Sequence, residues 1–314
     1  MMLPIRILAF NRADCFDKTI RSILQQEHGD IYVSCDGPRL SSPNETQEVR
    51  HLILSYQERG DVKVANLLET NLGTLDGIHA GIDWFFENES EGLIVEDDLI
   101  LHPPILEEAE KLFDAFRADP CVGSIGLRNV VPSEWLTDPH ASYRRSRLFV
   151  SHGWGTSRIY WTQGRKSLID RKNWLPSKKL RGFFGLGVTF QIARDYRIDA
   201  INEIQQRNIC NWDNRWSATH LSNNWNCLIL NHNRVEYIGY GPDATHTKGL
   251  PKPNSIERSF ALDNMEWKIP DNLDIDTKAD WYLLRKRGFV AFLKTKAGIR
   301  TRFRALRTLL LRKN

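Results

Sequence analysis

Three consecutive carboxylates, Glu96-Asp97-Asp98, follow the apolar run Leu93-Ile94-Val95. Like charges placed side by side repel one another, so the triplet needs a compensating partner, and a divalent cation is the economical one. Hard carboxylate oxygens suit Mg²⁺ or Mn²⁺, which take one or two carboxylates together with substrate phosphates. The alternative is a solvated acidic turn; the apolar residues on both sides, Leu99-Ile100-Leu101 included, favour a site. Other side chains complete such chemistry. Asp36-Gly37 closes the run Ile31 to Cys35, either as a turn or as a ligand contact. Arg12, just past the run Pro4 to Phe10, is expected to face the same cleft and to pair with phosphate. In His152-Gly153-Trp154-Gly155 a Trp stands between two Gly, which exposes an indole for sugar stacking unless the ring packs under a loop. Asp213, among aromatic and amide side chains, is a candidate base if partly desolvated, or else a helix cap. His246, late in the chain, is either a metal ligand or a structural histidine.

These groups need a scaffold that brings them to one place. Pro4 to Phe10, Ile31 to Cys35, Val62 to Leu68 and Leu93 to Val95 read as strands. Between them, Asp14 caps a helix with Phe16, Ile20, Ile23 and Leu24 on one face, and Asp76 to Phe86 forms a second. Pro103-Pro104 opens a third, with Leu106, Ala109, Leu112, Phe113 and Phe116 inward. Short strands joined by helices imply right-handed crossovers and a mainly parallel α/β sheet, whose ligands bind at the carboxyl ends of strands. Asp36-Gly37 and Glu96-Asp97-Asp98 fall at such ends. Residues 129–249 are less regular and dense in Trp, His, Asn and Gly, as site-forming loops are. The expected organisation is a catalytic domain over 1–249, divided into a nucleotide-sugar half (1–128) and an acceptor and sugar half (129–249). An extended connector over 250–280 and a basic tail over 281–314 follow.

At this point the sequence resembles a family. Val95-Glu96-Asp97-Asp98-Leu99, after Ile7-Leu8-Ala9-Phe10-Asn11-Arg12 and Ser34-Cys35-Asp36-Gly37, is similar to the GT-A glycosyltransferases. Their Rossmann-like sheet carries an acidic D-x-D or E-D-D element for metal and nucleotide-sugar. The likeness is to bacterial nucleotide-diphospho-sugar transferases of the hemolytic-protein-like group and, more distantly, to N-acetylglucosaminyltransferase I. It continues through Ile82 to Phe86, His152 to Thr156, Trp212 to Trp216 and Ile238 to Gly241 running into Asp243 to Thr247, so it spans roughly residues 4–248. The resemblance implies that Asp98 binds the metal directly, with His246 completing the site, and that Glu96 and Asp97 contact sugar and ribose. It also implies that Asp36 reads the base, that Asn71 belongs to an N-x-G turn supporting the nucleotide pocket, and that Gly153 and Trp154 wall the sugar. Asp213 then takes the acceptor's proton. The chain departs from the pattern at Thr74-Leu75-Asp76, where group members carry a basic residue.

Composition bounds the rest. With 314 residues, 41% hydrophobic, 26% charged and 10% aromatic, the chain is globular, and disordered, collagen-like and coiled-coil classes are excluded. Ten Trp hint at aromatic-lined sites. Five scattered Cys without C-x-x-C spacing argue against a disulfide framework or a zinc site and for a reducing compartment. The N-terminal residues carry no signal-peptide pattern and no stretch approaches 18 apolar residues, so the expected location is cytoplasmic, or peripheral on the inner face of the membrane. Eleven Lys or Arg and no Asp or Glu lie from Trp281 to Asn314; set against the chain's +4, they leave −7 on the first 280 residues. Phe292, Ile299, Phe303, Leu306 and Leu310 share one helical face of that tail, so residues 288–314 read as a basic amphipathic helix for an anionic membrane or for packing on protein. No nucleic-acid recognition motif accompanies it. The reading is a metal-dependent, inverting glycosyltransferase using a UDP-linked donor and a glycan or lipid-linked hydroxyl acceptor in polysaccharide synthesis. The alternatives are a sugar nucleotidylyltransferase, for which Phe10 to Asp14 lacks the Gly-rich phosphate loop, and a non-catalytic membrane-associated protein of the same fold.

Overall fold

A computed structural model describes residues 2–169, 212–240, 260 and 265–284. His246, Asp243, Cys210 and the tail over 288–314 lie outside the described residues. The chain begins with β1 (Ile5–Ala9), α1 (Ala13–Leu24), β2 (Ile31–Cys35), α2 (Gln47–Glu58), β3 (Val64–Leu67), α3 (Gly73–Asn88) and β4 (Glu91–Glu96). It continues through β5 (Leu99–Leu101), α4 (Ile105–Arg117), β6 (Val122–Gly126), β7 (Tyr143–Ser146), β8 (Trp154–Ser157) and α5 (Arg158–Ile169). The remaining described elements are α6 (Trp212–Asn223), β9 (Asn226–Leu230), β10 (Val235–Tyr237) and α7 (Thr277–Leu284).

Eight strands form one sheet in the order β3-β2-β1-β4-β8-β6-β9-β7, and β10 pairs with β5 beside it. β1 is parallel to β2 and β4, β2 to β3, and β6 to β9, whereas β8 is antiparallel to both β4 and β6, and β7 to β9. Six of the eight strands therefore run the same way, which is the mainly parallel α/β sheet expected from the sequence. The inserted β8 has a functional consequence: its first residue, Trp154, pairs with Ile94 and Gly126. The start of this reversed strand thus lies at the edge where its neighbours finish.

The period of two along each strand sorts residues between two layers. On β1, Ile5, Ile7 and Ala9 join the main core, as do Leu93 and Val95 on β4, together with α1, α2 and α4. Ile94 points the other way, into a cluster of Phe85, Phe86, Phe149, Trp154, Trp161, Trp212, Trp216 and Trp225, beneath α3, α5 and α6. The tryptophans that hinted at an aromatic-lined site are here largely core. Trp161 and Trp216 pack at a tilt with ring centroids 4.6 Å apart, and Trp154 lies 5.8 Å from Trp212 and 6.0 Å from Trp216. Aromatic pairs at such offsets add about 0.5–1.5 kcal/mol each beyond their burial.

Local departures from the sequence reading have simple causes. α1 begins at Ala13, so Asp14 sits inside its first turn, favourable to the helix dipole, rather than at the cap. α3 starts at Gly73, earlier than the apolar periodicity alone shows, because Asp36 satisfies its first amides. Residues 265–276 lie against β7, the edge strand: Ser142 N donates to Lys268 O at 2.8 Å and Asp276 N to Arg145 O at 2.9 Å. Thr277–Leu284, by contrast, is helical across the expected boundary at 280, with Ala279 and Leu283 buried against Val131, Leu136 and Leu148. Among the described residues the cysteines are free, and no helix is long and apolar enough to cross a membrane.

Two histidines in the aromatic layer carry a pH dependence. Burial holds the His220 imidazole down at about 3, enclosed by Phe149, Trp216 and Trp225. Burial, with Arg165 next, does the same to His79, also to about 3. A base whose folded pKa is depressed supports the fold above its unfolded pKa near 6.5, and that support drains away as pH falls toward 3. Asp97, raised by burial, acts oppositely over part of this window, so a variant comparison isolates the histidine. Urea unfolding of wild type and His220→Phe at pH 7 and pH 5 should show a stability difference that shifts by about 2 kcal/mol in favour of the variant at pH 5. An unchanged difference would remove His220 from the account.

Candidate active site

The carboxyl ends of β1, β2, β4 and β6 and the start of β8 share one edge of the sheet, as their pairings require. Glu96 is the last residue of β4, and the strand's alternation sends the triplet's neighbours to different layers. Glu96 shares the side of Ile94 and accepts a hydrogen bond from the Trp212 side chain at the start of α6. Asp97 turns toward α1: its Oδ2 accepts the Phe10 amide at 3.2 Å, its Oδ1 accepts Arg12 Nη2 at 2.8 Å, and its carbonyl accepts Thr19 Oγ1 at 2.9 Å. Asp98 Oδ2 takes the same Arg12 Nη2 at 2.7 Å.

The compensating partner that the triplet demanded is therefore Arg12 in this structure. The sequence assigned that arginine to phosphate; here it bridges two buried carboxylates, because a fixed guanidinium is the nearest way to offset them. Burial lowers the Arg12 pKa, but Asp97 and Asp98 outweigh it and leave the group raised. Burial, opposed by Arg12, brings Asp97 up to about 6. Glu96 is raised well above the usual carboxylate range, first by burial and then by Asp98, Asp213 and Asp97. Asp213, half-buried in the first turn of α6, is thus electrostatically joined to the triplet across more than 110 residues of sequence.

Three side chains expected to meet a ligand, Asp36, Trp154 and Asp97, are engaged by the fold itself in this structure. Asp36 does stand at the end of β2, but its Oδ1 accepts the amides of Gly37 at 2.8 Å and Leu72 at 2.9 Å, and its Oδ2 accepts Gly73 N at 3.0 Å and Asn71 Nδ2 at 3.1 Å. A carboxylate offers about four lone-pair directions, and these four contacts use them. Asp36 pins the start of α3 to the end of β2, and Asn71 completes the tie with Nδ2 on Gly37 O at 2.7 Å. Trp154 is fully buried, packed edge-on against Phe149 at 5.0 Å, so its indole presents no face to a sugar. The glycines beside it serve the backbone: Gly153 has φ +71°, a left-handed turn that lets its carbonyl accept Leu127 N at 2.9 Å. Asp97, to which the resemblance gives a ribose contact, has its two carboxylate oxygens on the Phe10 amide and on Arg12 in this structure, so that it anchors Arg12.

Sequence reasoning missed one side of the cleft. Ile238 N donates to Asp98 O at 2.9 Å, and Gly239 passes so close to Asp98 that no Cβ fits there. Tyr237, whose hydroxyl donates to Gly239 O at 3.0 Å, carries the Arg128 guanidinium 5.9 Å above its ring and His152 edge-on at 5.4 Å. Arg128 follows the end of β6 and is 8% exposed. Only its position just after the short run Val122 to Gly126 marked it in the sequence.

Asp98 Oδ1 is buried without a hydrogen-bond partner. No group of three or more His, Cys, Asp or Glu among the described residues is arranged to hold a metal ion. A cage of protein ligands does not fit these residues; a hard dication that takes Asp98 and fills its shell with phosphate oxygens and water does.

No family profile and no curated protein matches the chain. Among solved structures it is similar to S. aureus TarS 1-349, with TM-score 0.43 and 11% identity over 74% of this chain and 58% of that one. It is also similar to S. aureus TarS, with TM-score 0.38 and 15% identity over 54% of this chain and 30% of that one. A putative glucose-1-phosphate thymidylyltransferase from Bacillus anthracis, in complex with a sucrose, gives TM-score 0.33 and 11% identity over 53% and 75%. The chain thus spans 58% and 30% of the two TarS chains.

The assignment of Asp36 to the scaffold has a measurable consequence. Asp36→Ala leaves amides at the start of α3 without their acceptor and should lower unfolding stability by about 1–3 kcal/mol in denaturant titration. A variant as stable as wild type would return Asp36 to the list of ligand contacts.

Proposed function

We propose that the protein is a glycosyltransferase of GT-A type that moves a sugar from a nucleoside-diphosphate donor to a hydroxyl acceptor, with inversion by a single displacement. One observation carries the reading: Glu96, Asp97 and Asp98, together with Asp213 from a distant helix and Arg12, converge on one edge of the sheet. In open α/β sheets ligands bind at that edge, at the carboxyl ends of strands. UDP is the first donor to test, and a glycan or lipid-linked glycan is the acceptor class.

In this mechanism the acceptor oxygen attacks the anomeric carbon while the bond from that carbon to the diphosphate oxygen breaks, and the electron pair leaves with the diphosphate. Asp213 takes the acceptor's proton. It is half-buried beside Glu96, which burial and neighbouring carboxylates keep protonated to higher pH, so that the Glu96 carboxyl offers both a donor and an acceptor to sugar hydroxyls. Asp97 holds Arg12 at the cleft, and Arg128 stands on the opposite side above Tyr237. Asp98, with His246 as the further ligand implied by the resemblance, would hold a Mn²⁺ or Mg²⁺ ion, whose positive charge would stabilise the departing diphosphate.

Calorimetric titration with UDP and GDP, each with and without Mn²⁺, tests the reading. Tight binding of one nucleotide only with metal is expected, and binding of neither under any condition overturns it. Asp98→Ala should abolish metal-dependent nucleotide binding. Asp213→Asn should keep it and lower transfer by about 10²–10⁴-fold; full transfer by this variant would remove Asp213 as the base. Pyrophosphate released from a sugar 1-phosphate and a nucleoside triphosphate would instead identify a nucleotidylyltransferase.

A further inference from the structure

Arg12 is held at the site through one nitrogen alone. Its Nη2 donates to Asp97 Oδ1 at 2.8 Å and to Asp98 Oδ2 at 2.7 Å, while Nε and Nη1 donate to no group among the described residues. The side chain is 27% exposed, and neither of those two nitrogens is buried. The carboxylates that hold it are not equivalent. Asp97 is fixed from other directions as well, its Oδ2 accepting the Phe10 amide at 3.2 Å and its carbonyl accepting Thr19 Oγ1 at 2.9 Å. Asp98 has its backbone tied by Ile238 N at 2.9 Å, but among the described residues its carboxylate accepts a hydrogen bond from Arg12 alone.

Neither oxygen of Asp98 is open to an ion in this arrangement. Oδ1 is buried without a hydrogen-bond partner. Oδ2 lies under Arg12 Nη2 and against Gly239, where a Cβ would stand 2.2 Å from it. A Mg²⁺ ion needs a carboxylate oxygen at about 2.0–2.1 Å, and a guanidinium on that oxygen both fills the approach and repels the ion. Asp98 therefore becomes a ligand only when Arg12 releases it. Free metal has to break this charge-assisted pair unaided. A diphosphate that arrives with the metal alters the balance, because its oxygens accept the donors of Arg12 as Asp98 turns to the ion. Asp97, held independently, keeps the arginine at the site throughout the exchange.

We propose that Arg12 makes this site selective for a metal-diphosphate complex over free metal, by holding Asp98 until phosphate oxygens take over the guanidinium. The inference rests on the metal-dependent transferase reading above and adds to it the order in which metal and nucleotide are accepted. A guanidinium that serves the fold alone, as a fixed counterion, is the competing account.

Titration of the full chain with Mn²⁺, followed by the paramagnetic resonance of the free ion, with and without UDP or GDP, separates the two. In wild type, the nucleotide that binds should raise Mn²⁺ affinity at least about 100-fold. Arg12→Gln should bind Mn²⁺ without nucleotide at least about tenfold more tightly than wild type, and the enhancement by nucleotide should shrink by at least about tenfold. Loss of a fixed counterion produces no such gain. Because Arg12→Gln also removes a buried charge partner, its thermal transition is followed as well: Mn²⁺ alone should raise it by about 3 °C more than it raises that of wild type, the equivalent of a tenfold gain in affinity. Asp98→Asn added to Arg12→Gln should cancel both gains. Unchanged or weaker Mn²⁺ binding by Arg12→Gln, a gain that survives Asp98→Asn, or a wild type that takes Mn²⁺ as tightly alone as with nucleotide overturns the proposal, and metal-dependent nucleotide binding by wild type would leave the transferase reading standing beside that failure. Binding of neither nucleotide to wild type under any metal condition removes the transferase reading and the proposal together.

Discussion

Two carboxylates share one guanidinium at the end of β4, and the order of the cleft depends on that arrangement. Asp97 and Asp98 are buried, and a lone arginine nitrogen reaches both. Such a pair is stable only while its remaining polar directions are occupied. The Phe10 amide and Thr19 hydroxyl perform that duty for Asp97, which brings the end of β1 and the body of α1 into register with β4. Removing the arginine would leave buried charge without a partner, a loss of about 3–5 kcal/mol in comparable cases. The ion pair is at once an element of the fold and the centre of the candidate site.

The second constraint is the reversed strand β8. Because it runs against β4 and β6, its first residues arrive at the edge where theirs end, and Trp154 is driven into the aromatic layer beneath α5 and α6. That layer positions α6 through Trp212 and Trp216, and α6 in turn sets Asp213 beside Glu96. The aromatic residues act on the site through rigidity: a packed interior resists the shift of a helix far more than a loop would.

The strands and the placement of the acidic triplet were legible in the sequence because apolar runs of five or so residues ended abruptly in polar clusters. Asp36 was legible as a strand end but not as a cap, since three of its four acceptor contacts involve amides 35 to 37 residues later. Trp154 was placed in the right segment with the wrong exposure: flanking glycines look the same whether they open a groove or fit an indole between strands. Arg128 and Tyr237 were not singled out in the sequence, because a cation over a ring joins strand ends that only the sheet order brings together. Long-range pairing, and not local propensity, decided each of these cases.

Charge also limits what can enter the cleft. Glu96, Asp97, Asp98 and Asp213 bring four carboxyls to this edge, and Arg12 is already committed to two of them. A diphosphate approaching this edge brings further negative charge into a partly desolvated space, where repulsion is stronger than in water. Two responses are open to such a site: protonation of a carboxyl, toward which the raised Glu96 is already displaced, and entry of a dication together with the phosphates. Protonation answers repulsion among the carboxylates but offers the diphosphate nothing to bind. A dication for which Asp98, with its unpartnered Oδ1, would be a ligand would answer both, which is why dependence of nucleotide binding on metal would discriminate between a transferase site and an acidic turn held shut by Arg12.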